Sequence, residues 1–366
     1  MMEDLFITAT GQDVGKTAFT LGLVSLLTDK IADVGYMKPI GQRYVVKDDV
    51  KIDEDVELID ALFEFGDDLK DMSPIIIDRG FTRIHMDMKC CDQMAAQVAE
   101  SYQRIRHNHK LVILEGAGSS SVGESFGLSN MKIAQMTGAP VILVAEGGIG
   151  RTVDECMLHQ AYLERYDIRL KGVVINKVYR EKHQEILDVT VPGLEQRGMP
   201  VLGVIPYDPL LLTPTLHLLM EELDVELLTM IDRPVTDRNI RRVVIGAMKP
   251  HHALEFLRRG ELLITGGDRE DILIAVLCRS AMSLHDRSKF PMSGIIVTGG
   301  VRPHESILRV AEKLGILILY SEEDTYKVVS DVRNLKVKIR PADVEKLGSL
   351  LPLMRDNIDL DRIMSS

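Results

Sequence analysis

The densest group of chemically capable side chains is Gly15-Lys16-Thr17. It follows one apolar run, Leu5 to Thr8, and precedes another, Ala18 to Leu27. A short buried strand, a glycine-bearing loop and an apolar helix form the arrangement of a phosphate-binding loop. Backbone N–H groups over Asp13, Val14, Gly15, Lys16, Thr17 and Ala18 would converge on an anion, and the helix dipole favours negative charge there. Lys16 can bridge terminal phosphates, and the Thr17 hydroxyl can coordinate Mg²⁺. In the common pattern a glycine stands five residues before Gly15. Thr10 stands there instead, with Gly11 beside it, so the loop is a variant.

Other side chains point to the same chemistry. Val34-Gly-Tyr-Met-Lys-Pro-Ile40 reads as a strand that stops at Pro39, which cannot donate to a ladder. Lys38 then sits at a strand's carboxyl end, the edge where open α/β sheets bind ligands. Asp53 and Asp55 lie in an acidic segment that opens a helical pattern. Carboxylates at a helix start suit the dipole, and Asp55 is also a candidate Mg²⁺ ligand. Lys110-Leu-Val-Ile-Leu-Glu115-Gly-Ala-Gly118 is an apolar strand ending in an acid and glycines. Glu115 is the candidate for the second acidic metal position, and a buried carboxylate there needs a partner. Asn176 ends another strand and can hydrogen-bond a purine edge through its amide. Met199 to Tyr207 closes the series, with Pro206 near its end.

Those residues need a sheet to position them. Strands alternate with helices through Tyr207, which implies a mostly parallel sheet with helices on both faces. A chain of 366 residues has room for about two domains. The expected division is residues 1–207 for the nucleotide-binding domain, 208–230 for a connecting segment, and 231–366 for a smaller α/β domain with a C-terminal helical tail packed on it. In the second domain Glu261 to Gly267 and Gly294 to Gly300 are strands that both end in Thr-Gly-Gly. On neighbouring strands they would form a cleft for an unidentified small molecule. Tight turns requiring glycine explain them equally well. His251-His252 have no third ligand in view, so no metal is expected there.

Composition narrows the function classes. A net charge of −11 without a basic run excludes a nucleic-acid partner. No apolar stretch reaches bilayer length and no signal peptide precedes the first strand, so a cytoplasmic protein is expected, without a membrane partner. The four cysteines contain no C-x-x-C pair, so neither zinc nor redox chemistry is indicated.

Several of these pieces occur together in dethiobiotin synthetase and its relatives. The loop Thr8 to Thr17 resembles theirs without a gap. Gly-Tyr-Met-Lys38-Pro, Asp53/Asp55, Glu115-Gly-Ala-Gly118, Val-Ile-Asn176-Lys and Gly-Val-Ile-Pro206 follow in the family's order. The second domain resembles a DRTGG domain through Ile-Thr-Gly-Gly-Asp-Arg-Glu-Asp271 and Val-Thr-Gly-Gly300. This order is similar to the N-terminal, non-catalytic part of long bacterial phosphate acetyltransferases. The acyl-transfer domain found there lies outside this sequence, so acetyltransferase activity is not implied. The resemblance implies a P-loop NTPase-type fold and binding of ATP and Mg²⁺. Lys16, Thr17 and Lys38 would contact phosphates, with Lys16 and Lys38 the catalytic cations of any phosphoryl transfer. Thr17, Asp55 and Glu115 would hold the metal, and Asn176 and Pro206 would contact adenine. Ile40-Gly41-Gln42-Arg43 and Ser119-Ser120-Ser121 depart from the synthetase pattern where its substrate is read.

Two readings of function follow. One is a regulatory or sensing protein that binds Mg-ATP in the first domain and a metabolite in the second, as a homo-oligomer or beside a separate enzyme partner. The other is an ATP-dependent ligase activating a small carboxylate or carbamate, as in dethiobiotin formation or cobyrinate amidation.

Overall fold

The computed structural model describes residues 3–31, 33–78, 80–231, 238–282 and 292–365. The strand Leu5–Ala9 (β1) is buried along its whole length. It leads through the loop into the helix Lys16–Lys30 (α1). Strands Val34–Met37 (β2), Leu111–Ser119 (β3), Val141–Glu146 (β4), Leu170–Val178 (β5) and Val201–Pro206 (β6) follow in sequence. Among the described residues they form one sheet in the order β6-β5-β4-β1-β3-β2. Every pairing is parallel. Near-continuous apolar runs such as Val141-Ile-Leu-Val-Ala145 suit strands covered on both faces. The helices Glu54–Phe63 (α2), Cys91–Asn108 (α3) and Gly150–Arg165 (α4) lie on the crossovers.

A hairpin missed in the sequence joins β2 to α2. Tyr44–Lys47 pairs antiparallel with Val50–Asp53, and Asp48 and Asp49 turn it with φ of 48° and 62°. Positive φ at both turn residues is what a two-residue hairpin requires. The hairpin delivers Asp53 to the N-cap of α2.

The domain boundaries differ from expectation. The first unit comprises residues up to Asp208 together with those from Ile339 onward, and the second is Pro209–Lys338. The tail therefore packs on the first sheet and not on the second domain. The segment expected to connect the two belongs to the second unit's core, where Leu216 and Leu219 pack among Leu262, Ile264 and Leu319.

The reason for the tail's position lies in α1. That helix is apolar on nearly all sides, so the sheet alone cannot cover it. The helix Val344–Asn357 covers the remainder. Gly22 permits the approach, since a Cβ there would lie 2.2 Å from Met354 Cγ. Beyond that helix Ile358 bridges antiparallel to Gly203, and Asp359 N–H donates to the Leu202 carbonyl at 2.8 Å. Arg362 pairs with Glu195 at 2.7 Å.

In the second unit Arg242–Ile245 (β7), Glu261–Gly266 (β8), Gly294–Thr298 (β9) and Ile318–Tyr320 (β10) are parallel. The short strand Glu226–Leu227 pairs antiparallel to β10 at the edge. Leu263, Ile295, Val297 and Ile318 enter one core cluster, and Leu262, Ile264, Ile296 and Leu319 enter another. Alternate residues of each strand thus face opposite layers. The helices Glu270–Met282 (α5) and Glu305–Leu314 (α6) supply the first layer, and Thr325–Asn334 (α7) helps supply the second. The sequence pattern predicts this helix from Ile272 to Ser283, and Ser283 lies outside the described residues.

Replacing Gly22 with Leu is expected to lower the unfolding free energy by about 1–3 kcal/mol, the usual cost of overpacking. Urea titration followed by circular dichroism measures it. An unchanged midpoint would mean that the Val344–Asn357 helix does not sit against α1.

Candidate functional site

The loop between β1 and α1 is held from outside itself. Gly15 caps α1 at φ 93°, a conformation that favours glycine, and a Cβ there would meet Asn176 Nδ2 at 2.3 Å. Asn176 Nδ2 donates to the Val14 carbonyl at 2.9 Å, and Lys177 Nζ donates to the Asp13 carbonyl. The end of β5 therefore grips the loop backbone.

The other side of the loop is tied through His159. Its Nε2 lies 3.0 Å from the Thr10 carbonyl, and its Nδ1 lies 2.6 Å from Ser120 Oγ. A carbonyl only accepts, so Nε2 carries the proton, and in the neutral ring Nδ1 accepts from the serine. Burial depresses the imidazole's pKa despite the opposing bond to Thr10.

At the start of α1 residues from four elements meet. Glu115, completely buried in β3, accepts from Lys16 Nζ at 2.5 Å and from Thr17 Oγ1 at 2.8 Å on the same oxygen. Its second oxygen accepts from the Tyr36 hydroxyl at 3.2 Å. Thr17 Oγ1 is also 3.2 Å from Asp55 Oδ2. Lys38 lies between Asp53, at 2.9 Å, and Asp55, with which it is in direct contact. Asp53 Oδ1 accepts from the Asp55 N–H at 2.9 Å, so one carboxylate both caps α2 and faces the lysine. Ser73 Oγ accepts from Asp53 N–H at 3.1 Å.

The electrostatics follow from burial. Desolvation would lower the Lys38 pKa, but Asp55, Asp53 and Glu115 outweigh it and hold the ammonium above the usual lysine value. Tyr36 is pushed well above the usual phenol value by burial and by Glu115, and so remains a neutral donor.

The structure brings together Lys16, Thr17, Lys38, Asp53, Asp55 and Glu115. Among the described residues no group of three His, Cys, Asp or Glu side chains is arranged to hold a metal. The set at Thr17 is instead two carboxylates and a hydroxyl. That hydroxyl has one proton but two carboxylate oxygens within hydrogen-bonding distance. Three hard oxygen donors fit Mg²⁺, which binds few protein ligands and keeps water and phosphate oxygens.

Asn176 Nδ2 braces the loop at the Val14 carbonyl and its Oδ1 accepts from Lys177 N–H, contacts the sequence does not reveal. Pro206 ends β6 opposite Val178 of β5. Tyr36 and His159 were missed in the sequence. His159 shares a helical stripe with the buried Thr152, Cys156 and Leu163, which is the signal available for it.

In the second unit the two Thr-Gly-Gly ends are neighbours, with Gly266 opposite Thr298. Both threonine hydroxyls are buried and bind backbone: Thr265 Oγ1 to the Gly246 carbonyl at 3.0 Å, and Thr298 Oγ1 to the Thr265 carbonyl at 3.1 Å. A Cβ on Gly267 would fall 1.7 Å from the Val301 carbonyl, while Gly299 and Gly300 have φ of 81° and 70°. These features stitch the turns together. The His251 and His252 rings touch at a tilt of 57°, with centroids 4.1 Å apart.

Comparison with known proteins agrees with the two-unit reading. The chain belongs to the AAA_26 family, an AAA domain whose family model matches residues 3–215. A DRTGG domain model matches residues 218–335. The phosphate acetyltransferase of Nitratidesulfovibrio vulgaris is 26% identical over all of this chain and 52% of its own length. That of Synechocystis sp. is 25% identical over 100% and 52%. The chain thus spans about half the length of the curated relatives it matches, in their N-terminal region. Among solved structures, the MinD cell division protein of Aquifex aeolicus is 15% identical, with a TM-score of 0.35 over 57% of this chain and 84% of that one.

Lys38→Met leaves Asp53 and Asp55 buried without their shared ammonium. The expected loss of unfolding free energy is about 3–5 kcal/mol, partly restored by adding Asp53→Asn, which removes one of the two carboxylates the ammonium served. Denaturant titration of both variants checks it. A loss below about 1 kcal/mol, as for an exposed pair, would mean that the cluster is solvated.

Proposed function

We propose that this AAA-domain protein binds a nucleoside triphosphate with Mg²⁺ at the start of α1 and acts as a regulatory or sensing unit. The single observation carrying this reading is that Thr17 Oγ1 lies 2.8 Å from Glu115 and 3.2 Å from Asp55, with Lys16 beside it on Glu115. The residues expected to serve phosphate and metal converge there from separate parts of the chain.

Thr17, Asp55 and Glu115 would hold the Mg²⁺, which when bound neutralises charge on the phosphates. Lys16 leaves Glu115 for the anion, and the loop N–H groups at the head of α1 orient it. Lys38, enclosed by Asp53 and Asp55, keeps those carboxylates in place. That enclosure favours a sensor over a ligase, because the ammonium is not offered to an acceptor. The relatives named phosphate acetyltransferase support a role beside an enzyme of acyl-phosphate chemistry, and the DRTGG domain supports a second ligand-responsive unit.

Calorimetry on the full chain with ATP tests this reading. Binding is expected with Mg²⁺ and to weaken by at least about tenfold in Lys16→Ala, which loses a charge-assisted contact. No heat with Mg-ATP would overturn it. Steady ADP release above about 1 s⁻¹ with a small acid or amine, the range of ordinary enzymes, would establish the ligase instead.

A further inference from the structure

We infer that Lys16 stands in for the divalent ion, so that metal and triphosphate enter this site only together, and the site reports the metal complex of a nucleotide rather than either component. The inference rests on the nucleotide reading above and deepens it. Glu115 Oε1 accepts from Lys16 Nζ at 2.5 Å and from Thr17 Oγ1 at 2.8 Å. A carboxylate oxygen has about two acceptor positions, and both are filled on the oxygen that meets Thr17. The other oxygen is turned to Tyr36. A metal ligated by Thr17 and Glu115 therefore needs the place that the ammonium holds. The contact is nearly dry: the Lys16 side chain is 10% exposed and that of Glu115 0%. Little solvent is present to screen a divalent ion from an ammonium on the same oxygen, so the two cations exclude each other.

The charges show which ligand releases the ammonium. Lys16 and Lys38 stand against Asp53, Asp55 and Glu115, a formal surplus of one negative charge. Once Lys16 turns to a phosphate, Lys38 alone faces the three carboxylates. The surplus is then two, which one divalent ion neutralises. Lys16 is the cation suited to that move, being held by one carboxylate where Lys38 is held by two. It is also the first residue of α1, where backbone N–H groups collect an anion. A phosphate thus opens the metal position, and the metal in turn keeps Lys16 on the phosphate. Each ligand raises the other's affinity by the same factor.

Calorimetry of the full chain with magnesium chloride alone, ATP in EDTA, and Mg-ATP tests this in the parent, Lys16→Met, Glu115→Gln and Asp55→Asn. In the parent, millimolar Mg²⁺ alone is expected to give no heat. ATP in EDTA should bind on the order of a hundredfold more weakly than Mg-ATP, within the range of ordinary coupling. Lys16→Met keeps the apolar stem and removes the ammonium, so it should bind Mg²⁺ without nucleotide. Mn²⁺ in its place gives an electron-paramagnetic readout of the same event. Glu115→Gln is the sharper test, since a neutral partner releases Lys16. Metal-free ATP should then bind about tenfold more tightly than to the parent, the scale of one charged hydrogen bond, although a residue of the site has been altered. Asp55→Asn removes the same charge from the cluster but leaves Lys16 on Glu115. It should change metal-free ATP affinity by less than about threefold, as a screened neighbouring charge does.

Mg²⁺ binding to the parent alone as tightly as to Lys16→Met would overturn this inference and leave the nucleotide site standing. So would equal gains in Glu115→Gln and Asp55→Asn, which a general change of field produces, or no gain in Glu115→Gln. If Lys16→Met unfolds because Glu115 is buried without its ammonium, the comparison of Glu115→Gln with Asp55→Asn decides alone. Failure of the parent to bind Mg-ATP would remove the nucleotide reading and this one with it.

Discussion

A carboxylate with no solvent exposure sits in the middle of a parallel sheet, and the surroundings of Glu115 are arranged to tolerate it. An isolated buried anion is costly, so each oxygen requires donors. Lys16 and Thr17 of α1 serve one oxygen and Tyr36 of β2 serves the other. This single requirement sets the approach of α1 to β3 and the facing of Tyr36, because those donors must arrive together. The Lys38, Asp53 and Asp55 group extends the same logic outward. Lys38 stabilises both carboxylates in low dielectric, and removing it leaves two buried anions without that counter-ion.

The core of this arrangement was legible in the sequence because it is written locally. Leu5 to Thr17 shows strand, loop and helix in contiguous residues. Lys38 follows an apolar run and stands just past a strand end as expected, whereas the strand expected to end at Glu115 runs on to Ser119. Asp55 was weighed as a dipole partner or a metal ligand, and it stands both in the first turn of α2 and against Thr17. What stayed hidden depends on contacts distant in sequence. Nothing near Asn176 in sequence reveals that its amide braces the Val14 carbonyl. The hairpin before α2 was hidden because its strands are short and mostly exposed.

The tail was misplaced although a signal existed. A helix apolar on nearly all sides needs two covering layers, and the sheet supplies one. The second layer had to come from elsewhere in the chain, and the helical tail, expected on the second domain, supplies it. The Thr-Gly-Gly ends show the converse. Their repetition suggested a ligand cleft or tight turns equally, and the threonine hydroxyls and the glycine angles at Gly299 and Gly300 fit the turns.

Because residues from Ile339 onward rejoin the first unit, the DRTGG unit is threaded into its neighbour rather than appended to it. It is tethered at both ends: one strand of chain leaves beside Asp208, just past the end of β6, and the other returns to the helix that covers α1. The two units are therefore joined by two crossings of the chain, and a cut at one leaves the other intact.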